Sequence, residues 1–147
     1  MPVALNVLIV DDSAIMRQMI LKTLRMCGLP IGEVHQAGNG REGLEVIARQ
    51  WIDLLLVDIN MPVMNGQEMI ERLRERPEGR DMAIIVVSTD GSEARIEMMQ
   101  RQGASFVQKP FSPETLRDRI VEKTGISEVN DARPTADGTL PSDGPDF

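Results

Sequence analysis

Five short apolar segments, each followed by an amphipathic one, fill the first 126 residues, and that alternation leaves few folds open. It predicts an α/β domain on a parallel sheet, because parallel neighbours must be joined by long crossovers that helices fill. The predicted strands are Leu5–Val10, Glu33–Ala37, Asp53–Val57, Ala83–Val87 and Ser105–Gln108. Val7–Val10, Leu54–Val57 and Ala83–Val87 are unbroken apolar runs, as expected of strands covered on both faces, so the first, third and fourth strands belong in the centre.

The first helix is expected to bury Met16, Met19, Ile20, Thr23, Leu24 and Cys27, spaced by three and four, and to stop at Gly28. That assigns Cys27 to packing rather than chemistry. Later helices are expected to begin near Gly40, Gly66, Ser92 and Pro113. Ser112 and Pro113 form a start pair, since the serine can cap free N–H groups and proline sits where no donor is needed. The last helix carries Leu116, Ile120 and Val121 and should end at Gly125.

Charge narrows the function. With 16 Lys and Arg against 23 Asp and Glu, the chain carries −7, and nucleic acid or an anionic membrane would repel it. A single Cys allows no internal disulfide, which suits a reducing cytoplasm. The apolar run Val3–Val10 lacks a basic leader, is too short to span a bilayer and stops at two aspartates, so no signal peptide or membrane insertion is expected. Composition changes after Ile126. Residues 127–147 hold five acids, one base, three prolines and two glycines, a net −4 with few apolar side chains. The expected division is a folded domain over 1–126 and a disordered acidic tail over 127–147. The rival reading is a segment that docks through Val129, Leu140 or Phe147.

In a doubly wound sheet, sites collect beyond the carboxyl ends of the strands, where strand order reverses. Asp11 and Asp12 follow the first strand and Asp58 the third. One such acid alone reads as a helix cap or a solvated strand end. Three at one edge would repel one another without a cation, and an all-oxygen ligand set suits Mg²⁺ with substrate phosphate. Lys109 follows the fifth strand, as a plain counter-charge or as a grip on a phosphoryl group. Ser88 ends the fourth strand, as a turn residue or a donor to an anion.

Taken together, Val10-Asp11-Asp12-Ser13, Val57-Asp58-Ile59-Asn60-Met61-Pro62-Val63-Met64-Asn65-Gly66, Val87-Ser88-Thr89 and Gln108-Lys109-Pro110-Phe111 resemble the receiver domain of two-component response regulators, most closely the single-domain chemotaxis type. The resemblance covers about residues 5 to 123. It implies a flavodoxin-like (βα)5 fold, with a five-stranded parallel sheet in the order 2-1-3-4-5 and helices on both faces. It also implies that Asp58 accepts a phosphoryl group from a histidine kinase, and that Asp11, Asp12 and Asp58, with the Asn60 main-chain carbonyl, hold Mg²⁺. Lys109 would then contact the phosphoryl oxygens and Ser88 would move toward them. In the family an aromatic on the fifth strand follows that hydroxyl and remakes the surface of the fourth helix, fifth strand and fifth helix. Phe106 is the candidate, with core packing as its other reading. Serine stands where threonine is commoner, and the tail lies outside the pattern.

The implied function is phosphorylation-controlled protein contact by a signalling domain that assists its own phosphorylation and dephosphorylation, rather than by an enzyme acting on a separate substrate. The partner would be the flagellar motor switch in chemotaxis or a histidine phosphotransferase in a relay; Asn60 and Asp90 resemble the chemotaxis regulators. A Mg²⁺-dependent aspartyl-phosphate phosphatase acting on small molecules is the alternative, disfavoured because Asn60 stands where such enzymes place a second acid and no cap is present. A flavin carrier lacks a glycine- and hydroxyl-rich phosphate loop. Met61, Met64, Met98 and Met99 read as core or as an adaptable partner surface. His35 reads as structural or exposed, and Trp51 as packing.

Overall fold

The structure, a computed structural model, describes residues 4–89 and 91–126. The tail and Asp90 lie outside the described residues. Strands β1 (Leu5–Val10), β2 (Ile31–Ala37), β3 (Leu54–Val57), β4 (Ala83–Ser88) and β5 (Ser105–Gln108) form one parallel sheet in the order β2-β1-β3-β4-β5. Helices α1 (Ala14–Arg25), α2 (Gly40–Arg49), α3 (Gly66–Arg74), α4 (Glu93–Arg101) and α5 (Pro113–Thr124) make the crossovers and the final return. This is the (βα)5 flavodoxin-like architecture.

Strand alternation splits the core into two layers. Leu8 and Val10 of β1 face one side and join Leu44, Ile47, Met69, Leu73 and Met99 from α2, α3 and α4. Val7 and Ile9 face the other side and join Ile20 and Leu24 of α1 and Leu116 and Ile120 of α5. Because β1, β3 and β4 have neighbours on both edges and helices on both faces, their apolar runs are continuous and, apart from half-buried Ala83, fully buried. Helix starts carry side-chain caps. Ser112 accepts from the Thr115 N–H with Pro113 in the first turn, and α5 closes on Gly125 in the left-handed conformation, φ 73°.

Two expectations about burial, for Met19 and Trp51, are corrected. Met19 is 57% exposed, because with Met16, Ile20 and Thr23 it lines an open apolar cleft of about 290 Å³ facing Pro110 and Phe111. Val121 is on the outer edge of α5, one position round from buried Ile120, and Trp51 stands in solvent, its indole N–H donating to Asp53 at 2.8 Å. Strand β2 begins two residues earlier than its apolar pattern suggests. Its register against β1 shifts between Leu5 and Val7, and the Asn6 side chain accepts the Glu33 N–H in place of a main-chain partner. Strand β3 starts at Leu54, one residue late, while Asp53 turns its carboxylate to the Asn6 N–H. The methionines divide: Met99 is core, Met61 and Met64 pack on it partly exposed, and Met98 is on the surface. Cys27 is buried, and burial pushes its thiol up to about 11, which leaves it in packing at neutral pH.

Candidate functional site

The sheet ladder itself delivers the polar side chains to one rim. Val10 pairs with Val57, and the next residues, Asp11 and Asp58, continue the bonding: the Asp58 N–H donates to the Val10 carbonyl at 3.0 Å, and the Asp11 N–H to the Ala37 carbonyl at 3.1 Å. On the other side Ser88 pairs with Gln108, and the Lys109 N–H donates to the Ser88 carbonyl at 2.9 Å. Asp11 and Asp58 therefore sit side by side at the point where strand order reverses, the usual ligand position in such sheets.

Asp11 is 2% exposed, and its two carboxylate oxygens have different partners. Oδ1 accepts the Ser13 N–H at 2.9 Å, and Oδ2 faces the Lys109 ammonium at 3.1 Å. The same ammonium is 3.8 Å from Asp58 Oδ2. Asp12 is exposed at the mouth. Burial holds the Asp58 carboxyl above the usual carboxylate range; Lys109 pulls it down, the Asp11 charge pushes it up, and hydrogen bonds from the Ser88 hydroxyl and the Ile59 N–H pull it down. Ser88 itself is fully buried.

Asp11, Asp12 and Asp58 each bring one oxygen within 4.8 Å of the others. Three carboxylate oxygens gathered at one rim are the hard donor set that Mg²⁺ takes. The donors are all oxygen and one faces water, which leaves room for water or phosphate ligands. The residues fit the metal. Asn60 follows in the exposed loop between β3 and α3.

A family profile described as the response regulator receiver domain matches residues 7–121. The chain belongs to that family. This receiver is 32% identical over 123 residues to a chemotaxis protein CheY homolog of Campylobacter jejuni subsp. jejuni, covering 82% of this chain and 93% of the relative. Among solved structures, chemotaxis protein CheY4 of Vibrio cholerae is 34% identical with a TM-score of 0.73, over 82% of this receiver and 99% of that chain. A CheX-CheY-BeF3-Mg²⁺ complex from Borrelia burgdorferi matches at 25% identity and a TM-score of 0.73, covering 80% and 87%. The receiver is of the chemotaxis type, and receiver domains are signalling domains. Among its described residues no helix is long and apolar enough to cross a membrane.

Phe106 is half-buried on β5 and packs against the α2–α4 layer. His35 sits on β2 with its Nε2 3.2 Å from Glu33, away from the acidic rim. Two residues at the rim escaped the sequence reading. Arg17 of α1 donates through Nη1 to the Asp11 main-chain carbonyl at 2.6 Å and through Nε to Gln36 at 3.0 Å, tying the Asp11–Asp12 loop to β2. Gly66 opens α3 with its N–H on the Ile59 carbonyl at 2.8 Å, and a Cβ there would collide with the Asp58 main-chain oxygen. Arginine on a helix looks like any solvated cation, so Arg17 carried no signal. Gly66 read as a helix start, but the close approach behind it depends on a partner eight residues away.

Proposed function

We propose that this receiver accepts a phosphoryl group on Asp58 from a phosphohistidine of a partner kinase and signals by the protein contacts that the modified form makes. An Asp58 carboxylate oxygen attacks phosphorus; the O–P bond forms as the N–P bond breaks, and the imidazole departs with that electron pair. Mg²⁺ held by Asp11, Asp12, Asp58 and the Asn60 main-chain carbonyl would neutralise charge on the transferring oxygens. The Lys109 ammonium, already between Asp11 and Asp58, turns to the phosphoryl oxygens as they arrive. A carboxylate kept from full solvation is less stabilised than one in water and gains more from bonding to phosphorus. Water attack on the acyl phosphate returns the free aspartate.

The observation that carries this reading is the Asp58 carboxylate, 13% exposed, facing a cation and standing in a trio of acids at the rim. The Ser88 hydroxyl, which already bonds Asp58, is the group that follows the new phosphoryl oxygens, and Phe106 is the side chain that moves with it. The Borrelia relative, described in complex with CheX, BeF3 and Mg²⁺, supports contact with another protein in the metal-loaded form. Asn60 favours the chemotaxis role over a relay. Acetyl phosphate with Mg²⁺ tests the reading: intact mass should show one added phosphoryl group in the wild type and none when the metal is chelated. Metal-independent labelling would overturn it.

A further inference from the structure

The chain is acidic overall, yet the face opposite the acidic rim carries a positive cleft. Its cavity of about 510 Å³ lies among the ends of α3, α4 and α5 and the start of β4, and is lined by Arg74, Arg80, Arg101 and Lys123 with Asp81 as the one acid. Arg74 forms its wall: the guanidinium donates to the main-chain carbonyls of Gln102 at 2.7 Å and of Gly79 and Met82 at 2.9 Å, which fixes the position of the charge. Arg80 and Arg101 are exposed, and among the described residues Arg101 has only a loose pair to Glu97 at 3.9 Å. Through Gly103 and Lys123 the cleft continues into a second cavity of about 530 Å³ beside Phe106, where Arg119 adds another cation and Glu122 an acid.

Helix α5 ends at this cleft. Lys123 lines it, and Ile126, three residues on, packs against the α1–α5 core layer, which fixes the end of the folded chain within three residues of the cleft. The next segment, 127–147, is acidic, net −4, with Glu128, Asp131, Asp137, Asp143 and Asp146 against Arg133 alone. At about 3.3 Å per extended residue, Glu128 reaches about 7 Å and Asp131 about 17 Å past Ile126. A tether that short holds the acids near the cations at millimolar effective concentration.

We propose that segment 127–147 folds back onto this cleft as an intrachain acidic strap, held by charge and extending toward the groove beside Phe106. Being electrostatic and exposed, the contact is weakened by salt. It also occludes part of the face between α4 and α5 from other proteins. The inference stands on charge and position and is independent of the phosphoryl chemistry.

A nitroxide on Thr139→Cys in the full chain tests it; Cys27, buried and protonated, stays unlabelled. At about 20 mM salt, paramagnetic broadening of amide signals should concentrate on residues 80–82, 101–103 and 123. It should fall by at least about half at about 0.5 M salt, where screening shortens several-fold. The same loss should follow Arg80→Glu with Arg101→Glu, both exposed, without other spectral change. Broadening that ignores salt and charge reversal, that centres on another surface, or that disappears when unlabelled protein is added in excess would overturn the strap.

Discussion

Lys109 holds its ammonium 3.1 Å from the Asp11 carboxylate, joining residues 98 positions apart that close opposite parts of the sheet. The contact leaves the neighbouring Asp58 carboxyl with a more distant share of that cation, 3.8 Å away, and a like charge beside it. Burial and that like charge hold the Asp58 carboxyl above its usual range.

Stability of the metal-free protein should fall as pH rises through the Asp58 titration. Its folded carboxyl lies above the unfolded value of 3.8, so between the two the folded state binds more protons and unfolding becomes easier with rising pH, levelling off above the folded value. Asp58→Asn abolishes that term and should be more stable than wild type at pH 7 by about 1 kcal/mol, the sign expected when a strained functional charge is removed. Urea unfolding of both proteins from pH 3 to pH 8 with chelator checks it: the difference should open through this window and shrink when Mg²⁺ is added. A constant difference across the range would contradict the raised carboxyl.

Arg17→Ala should weaken Mg²⁺ binding several-fold and slow labelling by acetyl phosphate, because the loop carrying Asp11 and Asp12 loses its tie to β2. Stability should change by no more than about 3 kcal/mol, the range of two hydrogen bonds, one exposed and one half-buried. Arg17→Lys should not restore the affinity, since an ammonium cannot span both acceptors as a planar fork does. Unaltered metal affinity in the alanine variant, read by calorimetry, would remove Arg17 from the site.

Gly66→Ala should cost about 2 kcal/mol or more by forcing α3 away from the Asp58 main chain. The loop between β3 and α3 moves with it, so Mg²⁺ affinity should drop even at temperatures where the variant stays folded. Thermal unfolding with and without Mg²⁺ separates the two effects: the metal should raise the melting temperature less in the variant than in wild type. An equal rise would show that the loop is indifferent to this contact.

How much of this could be read from residues alone depended on how locally each feature is determined. Strand β5 and the starts of α2, α3 and α5 were legible because apolar runs and cap residues are local signals. The gathering of Asp11, Asp12 and Asp58 was legible because each acid directly ends or follows a central strand, and parallel register carries all strand ends to one rim. Met19 was misjudged because helical spacing identifies a stripe but not its edges, which depend on what a neighbouring element leaves uncovered. Trp51 was misjudged because its indole finds a partner two residues on, in Asp53, without entering the core. The early start of β2 was hidden by Gly32 and Glu33, which break the apolar run while Asn6 completes the ladder.

The central claim is that Asp58 itself takes the phosphoryl group. Borohydride reduction after acetyl phosphate treatment, followed by peptide mass mapping, tests it most directly, because an aspartyl phosphate is reduced to homoserine while a free aspartate is not. Homoserine is expected at position 58 alone, dependent on Mg²⁺ during labelling. Homoserine at position 11 or 12 with position 58 unchanged would contradict it.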